Sequence, residues 1–493
     1  MHKYNFILSL LLISGLLIGA ASCEDYVEKY PRHAISQAVA LETIEGTEST
    51  IAGLYSRLQG QWMNREMNLA GAMLADDMQI AATNSNRMVN HPRNVEGAHF
   101  GIWSGRYNDI NRINMVLRSI DDTDGSQQQI SQFKGEIHAM RGYLYFKLLK
   151  VYARPYLHQE PLVQGEPLGV IIKTQPFVGI DETSFQARGT IEEGYQLVLD
   201  DLETALEYLE SVPNRQYPYY FTDMAVKALL ARLHLYMGNW QEAVNYAEEV
   251  ISEAPNNLVN AFDRSTYLPV FANAPGSESI LELKYSQDDR PGMGSSITGM
   301  ASYGRPESGV GYGDAILRQD LVNQLDEYGA LGHPAGEMYY EALKGGLQIF
   351  LQDKYSSYRG QIYWDDIKLI RMPEMYFIAA EAYAELEELD DAKTMLQIYR
   401  DHRGIGHVEI DADNKEDFIE ILFADKRVEY FAEMSHRWFD HVRRGMDIPK
   451  GIPGVDDGAD AGPISFDDYR VIGRIPISGE IATNPNCLQN PGY

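Results

Sequence analysis

The chain has 493 residues, with 71 acidic against 42 basic side chains and a formal net charge of −29. Such a charge opposes the counterion release that drives binding to DNA or RNA, so no nucleic acid partner is expected, and adsorption to an anionic lipid surface is disfavoured. Hydrophobic residues at 44% and charged residues at 23% supply apolar material for a sizeable core and exclude general disorder.

From the N-terminus, His2 and Lys3 precede an apolar run over 6–20 that is short for a membrane span, and Ala20, Ala21 and Ser22 lead to Cys23. This pattern predicts residues 1–22 as a lipoprotein signal peptide and Cys23 as the lipidation site. A thiol placed after small residues can accept a diacylglycerol, and two or more acyl chains hold firmly. Attachment to the membrane is therefore expected through a lipid anchor. Cys487 is the only other cysteine, so no disulfide framework is available.

Residues 23–36 read as a lipidated tether and 37–493 as one body. Ile44, Ile51, Leu54, Tyr55 and Leu58 fall at helical spacings, and apolar stripes at three- and four-residue intervals run over 107–120, 132–152, 190–209 and 222–237. The stretches 121–126 and 211–218 are connectors. Ala231, Gly238, Trp240, Ala243 and Pro255 have the intervals of a tetratricopeptide repeat, in which small residues let two antiparallel helices approach and a proline ends the second. Ala380, Tyr383 and Ala392 repeat part of that pattern, with Glu387 where the turn glycine belongs. The prediction is a mainly α fold, a scaffold of tetratricopeptide-like helical hairpins with long irregular loop insertions.

One such insertion spans about 262–346, rich in Gly, Ser, Pro, Asn and Tyr, with a strand-like run at 280–285. A second irregular stretch covers 83–97. Loops carry variable contacts on a rigid scaffold, so these two segments are the candidate binding face. Aromatic rings stack on the apolar faces of sugars, and amides and guanidiniums satisfy hydroxyls by forked hydrogen bonds. The candidate ligand-binding residues are Asn84, Arg87, Arg93, Tyr303, Arg305, Tyr312 and Trp364, whereas Trp103 and Trp240 lie in helix patterns and are expected in the core.

Signatures of catalysis and metal binding give no support. His436 and His441 stand on different faces of a predicted helix, and no HExxH motif is present. Asp411 and Asp413 begin like a calcium loop, but Lys415 and Glu416 stand where a ligand and a glycine are needed. Nucleophile elbows and phosphate-binding glycine loops are absent. Two carboxylates would suffice for a glycosidase, and Asp76 with Asp77 is the obvious pair; the simpler reading is a solvated helix end. No catalytic residue, metal or cofactor is therefore predicted.

Four segments carry a resemblance. GEIHAMRGYLYFKLLKVYARPY at 135–156, IRMPEMYFIAAEAYAEL at 370–386, ILFADKRVEYFAEMSHRWFDHVRRG at 421–445 and RIPISGEIATNPNCLQNPGY at 474–493 resemble, in the expected order, the motifs of the SusD/RagB family of outer-membrane nutrient-binding lipoproteins. Glu24 and Asp25 after Cys23 likewise resemble the acidic export signal of Bacteroidetes surface lipoproteins. The resemblance implies a protein lipid-anchored in the outer membrane and facing the cell exterior. It would capture an oligosaccharide for a SusC-like TonB-dependent transporter, without turnover. A RagB-like peptide binder and a surface glycoside hydrolase are the alternatives. Within the motifs, Arg371, Glu374 and Glu381 are expected to pair with Arg427, Arg437 or Arg443, and Asn484, Pro485, Gln489, Asn490 and Pro491 to pin the C-terminal segment to the body.

Overall fold

The computed structural model describes residues 40–97, 99–160, 168–177, 179, 184–213, 215–305, 311–357, 363–450 and 463–493. The predicted signal peptide, Cys23 and the tether lie outside the described residues. Helices α1 (Ile44–Leu58), α2 (Met67–Leu74), α3 (Trp103–Ser119) and α4 (Gln127–Tyr152) open the body. They are followed by α5 (Ile191–Glu210), α6 (Asp223–Met237) and α7 (Trp240–Glu253). The short helices α8 (Arg264–Tyr267), α9 (Pro269–Ala272) and α10 (Ile297–Ala301) and the longer α11 (Gln319–Leu331) fall within the predicted loop-rich stretch. Helices α12 (Met372–Glu385), α13 (Leu389–His402), α14 (Lys415–Tyr430) and α15 (His436–Arg443) complete the set. Among the described residues no helix is long and apolar enough to cross a membrane.

Local signals explain where these helices begin and how closely they pack. Ser126 with Gln129 and Thr190 with Glu193 form reciprocal capping boxes at the starts of α4 and α5, each satisfying backbone N–H groups that the first turn leaves orphaned. Gly135 lets α5 lie against α4, because a Cβ there would stand 2.5 Å from Leu209 Cγ. Ile191, Tyr195, Val198, Leu202, Ala205 and Leu209 form the buried stripe of α5.

Two helical hairpins, α6–α7 and α12–α13, stack through α7 against α12, as the repeat intervals predict. The first turns at Gly238, whose φ of 76° only glycine adopts without cost. The second turns at Glu387, held at φ 65° in the same left-handed region. Trp103 is buried in the main core, and Trp240 is half-buried against it.

Strands are short and paired two by two: β1 (Met78–Ile80) with β3 (Ala315–Leu317), β2 (Ser279–Leu283) with β6 (Ile367–Arg371), and β4 (Tyr339–Lys344) with β5 (Leu347–Gln352), all antiparallel. Gly345 and Gly346, at φ 61° and 82°, close the β4–β5 hairpin. Beside the main core these strands build a second, small one from Ala81, Ile316, Tyr340, Ile349 and Leu351. It lies beneath the candidate binding loops.

Charged residues of the family-like motifs are buried, with partners partly different from those expected. Glu381 meets Arg443 as predicted, at 2.5 Å, but Glu374 is gripped by Arg232 at 2.5 and 2.6 Å. Arg371 reaches Glu429 at 2.8 Å, Glu433 at 2.9 Å and Glu278 at 3.3 Å. Arg403 reaches Glu278 at 2.7 Å and Glu429 at 3.0 Å, and Lys354 meets Glu433 at 2.7 Å. Three cations and three carboxylates thus close on one another. Burial alone would raise the Glu429 carboxyl, but the guanidiniums of Arg403 and Arg371 hold it well below the usual range.

Arg427 and Arg437 instead serve Asp76 and Asp77, which corrects the reading of that pair as a solvated helix end. Both aspartates are buried. Arg427 Nε meets Asp77 at 2.8 Å and Arg437 Nε meets Asp76 at 2.9 Å. Against the penalty of burial, Arg427 and Arg437 bring Asp76 down to about 2, whereas for Asp77 burial outweighs Arg427 and the carboxyl is raised. A pair so engaged is a structural clasp, unlike the acid and base of a glycosidase. At the C-terminal segment Asn490 donates to the carbonyls of Tyr152 at 2.9 Å and Gly473 at 2.7 Å and accepts from Arg188 at 2.9 Å, which pins that segment as expected.

Candidate functional site

Strand pairing fastens the two irregular segments to each other. β1 delivers the chain into the loop that begins at Ala81, and β3 receives it from the 311–314 turn, so pairing Ile80 with Ala315 sets the two loops side by side. Asp314 then accepts from the Ser85 backbone N–H at 3.0 Å and from the Ser85 hydroxyl. Lys344, on the hairpin, meets Asp314 at 3.0 Å and donates to the carbonyls of Tyr312 at 2.6 Å and Gly313 at 3.0 Å. One ammonium ties hairpin and loop together.

Across this junction the Arg87 guanidinium lies over the Tyr312 ring, 4.5 Å from its centroid. Both side chains are half-buried. Among the described residues Arg87 has no carboxylate and no hydrogen-bond partner, so its fork of donors remains available to a ligand. Tyr303 lies on the same patch: its backbone N–H donates to the Tyr340 hydroxyl at 2.9 Å, and Lys344 Nζ stands 5.6 Å from its ring centroid.

The remaining predicted residues divide. Asn84 spends its amide on the turn, donating to the Ala81 carbonyl at 2.8 Å and accepting from Asn86 N–H at 2.9 Å. Arg305 stacks on Tyr340 at 3.7 Å and is bound to buried Asp353 at 2.7 Å, which Arg264 also holds at 2.7 Å. These two shape the face more than they offer donors. Trp364 is half-buried against the main core and its indole N–H donates to the Tyr285 carbonyl. Arg93 is exposed, and its turn meets other neighbours: Pro92 accepts from Lys450 at 3.2 Å, and Glu96 accepts from the Tyr469 hydroxyl. Nothing among the described contacts joins Arg93 to the Arg87–Tyr312 stack.

Tyr363 is a further candidate that sequence reasoning missed. It is half-buried at φ 62°, and burial, then the nearby Tyr312, pushes its hydroxyl up from the ordinary value. It precedes Trp364 in the chain and stands near Tyr312, which adds a further ring beside the Arg87–Tyr312 stack. Such a surface can stack on the apolar faces of a ring compound and fork hydrogen bonds to its hydroxyls. Asp314 and Asp353, carboxylates on this face, are each held by cations, an arrangement that suits binding more than acid–base chemistry. No group of His, Cys, Asp or Glu among the described residues could hold a metal ion.

A cleft of about 580 Å³ lies elsewhere, along α14 and α15, with Phe423, Arg427, Arg437 and Arg444 in its wall. Its arginines are engaged, Arg427 and Arg437 by Asp76 and Arg444 by Glu381 at 2.8 Å. On the loop face, by contrast, the donors of Arg87 are unengaged among the described residues.

Comparisons with known proteins agree on a family. A model described as starch-binding associating with outer membrane (SusD-like) matches residues 25–235, a SusD family model matches 338–493, and a tetratricopeptide repeat model matches 229–257. The SusD-like protein P38 of Formosa agariphila is 22% identical over 540 residues, covering 100% of both chains. A SusD-like carbohydrate binding protein from Bacteroides vulgatus superposes with a TM-score of 0.74 at 21% identity, over 90% of this chain and 97% of its own. A laminarin binding SusD-like protein superposes with a TM-score of 0.70 at 19% identity, over 92% of this chain and 100% of its own.

Proposed function

Because the chain belongs to the SusD/RagB family, we propose that it is a lipid-anchored surface protein of the outer membrane that binds a glycan and passes it to a SusC-like TonB-dependent transporter. The observation that carries the glycan reading is the Arg87–Tyr312 stack, a guanidinium with no carboxylate partner among the described residues, laid over a half-buried ring. Relatives described as carbohydrate-binding and laminarin-binding support the same class of ligand. The engaged carboxylates of this face favour capture without turnover. Cys23, with the leader before it and the acidic Glu24 and Asp25 after it, supplies the anchor.

Calorimetric titration of the mature protein against a panel of oligosaccharides and a peptide digest tests the ligand class. Saturable heat with one glycan class, weakened in Arg87→Met, is expected. Heat with peptides alone would move the protein to the peptide-capture branch of the family. The anchor has its own test: Cys23→Ala should leave the membrane fraction in detergent partitioning, and a variant still bound there would sink the lipidation reading.

A further inference from the structure

Helices α4, α6, α12 and α15, with Lys426 of α14, surround a cavity of about 20 Å³, room for one water-sized occupant. Its wall carries four cationic side chains, Lys147, Lys150, Arg232 and Lys426, and two carboxylates, Glu374 and Asp440. Both carboxylates are taken. Arg232 holds Glu374 through Nε and Nη2, while Lys426 meets Asp440 at 2.7 Å and Arg443 takes its other oxygen at 2.8 Å. Arg443 is further balanced by Glu381.

Lys147 and Lys150, one turn apart on α4, are left over. Among the described residues neither amine makes an ion pair or hydrogen bond, although Lys147 is only 2% exposed. Their neighbours are rings: Lys147 Nζ lies 5.1 Å from the Tyr143 centroid, and Lys150 Nζ lies 4.0 Å from that of Phe439 and 5.1 Å from that of Tyr236. Ring faces attract an ammonium but do not replace its hydration. His436 borders the same space, stacked on Tyr430 at 4.1 Å.

Two surplus positive charges beside a low-dielectric cavity are resolved either by losing protons or by gaining an anion. We propose that the cavity is a binding site for one small monovalent anion of halide size, held by Lys147 Nζ and Lys150 Nζ with the unused Nη1 of Arg232. Phosphate and sulfate exceed the space. Burial, then the neighbouring cations, depresses both amines, Lys147 well below its ordinary value and Lys150 to about 7. Halide binding therefore takes up protons, and apparent affinity rises as pH falls.

Crystals soaked in sodium bromide, measured at the bromine absorption edge, should show an anomalous peak within hydrogen-bond distance of both amines. Thermal unfolding at matched ionic strength should give a Tm about 1–3 °C higher in chloride than in gluconate at pH 6, with a smaller gap at pH 9. The double variant Lys147→Met/Lys150→Met, which keeps the apolar stems, should fold and lose the gap. Equal Tm in the two salts together with no bromide peak would overturn the proposal and assign neutral amines around a water.

Discussion

Two regions of this molecule treat charge in opposite ways. Around Arg371 and Arg403 every guanidinium is matched by carboxylates at 2.7–3.3 Å, deep in the helical body. On the loop face Arg87 has a ring beneath it and, among the described residues, no acid beside it. The difference teaches where to look for recognition in a chain of net charge −29: a cation that so many acids leave unclaimed has its donors free for a ligand, whereas a matched one holds helices together.

Cutting into the matched region should have the largest effect. Arg403→Met leaves Glu278 and Glu429 buried with half their partners and should cost about 3–5 kcal/mol, read as a lower urea midpoint. Acid should unpick the same region. Glu374, held at about 2 by Arg232 despite burial, contributes stability that is full above its unfolded pKa near 4.5 and is lost as pH falls toward 2. That contribution is about 3 kcal/mol, and urea midpoints should fall steeply between about pH 5 and pH 2, equally in Arg87→Met. At the loop face the comparison inverts. Arg87→Met or Tyr312→Ala should weaken glycan affinity by about tenfold in calorimetry while Arg93→Ala changes it less than about twofold, and the Arg87 change should shift stability by under about 0.5 kcal/mol. Smallest is the hairpin turn: Glu387→Gly, at φ 65°, should raise stability by about 1 kcal/mol in urea unfolding, and a loss would show that the Glu387 side chain outweighs the relieved backbone.

Much of the helical body was legible because it is written locally. Thr190 three residues before Glu193, and Gly238 at the end of an apolar stripe, each act within one turn of the chain, and the structure uses both as caps. Pairings across the chain were not legible. Met78 meets Leu317 and Asp76 meets Arg437, and no spacing encodes which arginine will face which acid once helices pack. Arg427 and Arg437 were therefore matched to the wrong carboxylates, and Asp76 was expected in solvent. At the site, composition pointed to Arg87 and Tyr312 and equally to Arg93, since only the β1–β3 pairing decides which arginine is laid over the ring. Tyr363 had no signal at all; its position follows from a left-handed backbone that residue type does not announce.

The six-charge cluster of Arg371, Arg403, Lys354, Glu278, Glu429 and Glu433 also limits how this chain can change over generations. Any single substitution strands a buried charge, whereas replacing several members together with apolar residues can be neutral or better. Descendants that need one step at a time meet a valley of unstable genotypes, so the cluster can persist for want of a passable route out, even where an uncharged core of the same volume would hold the helices as well.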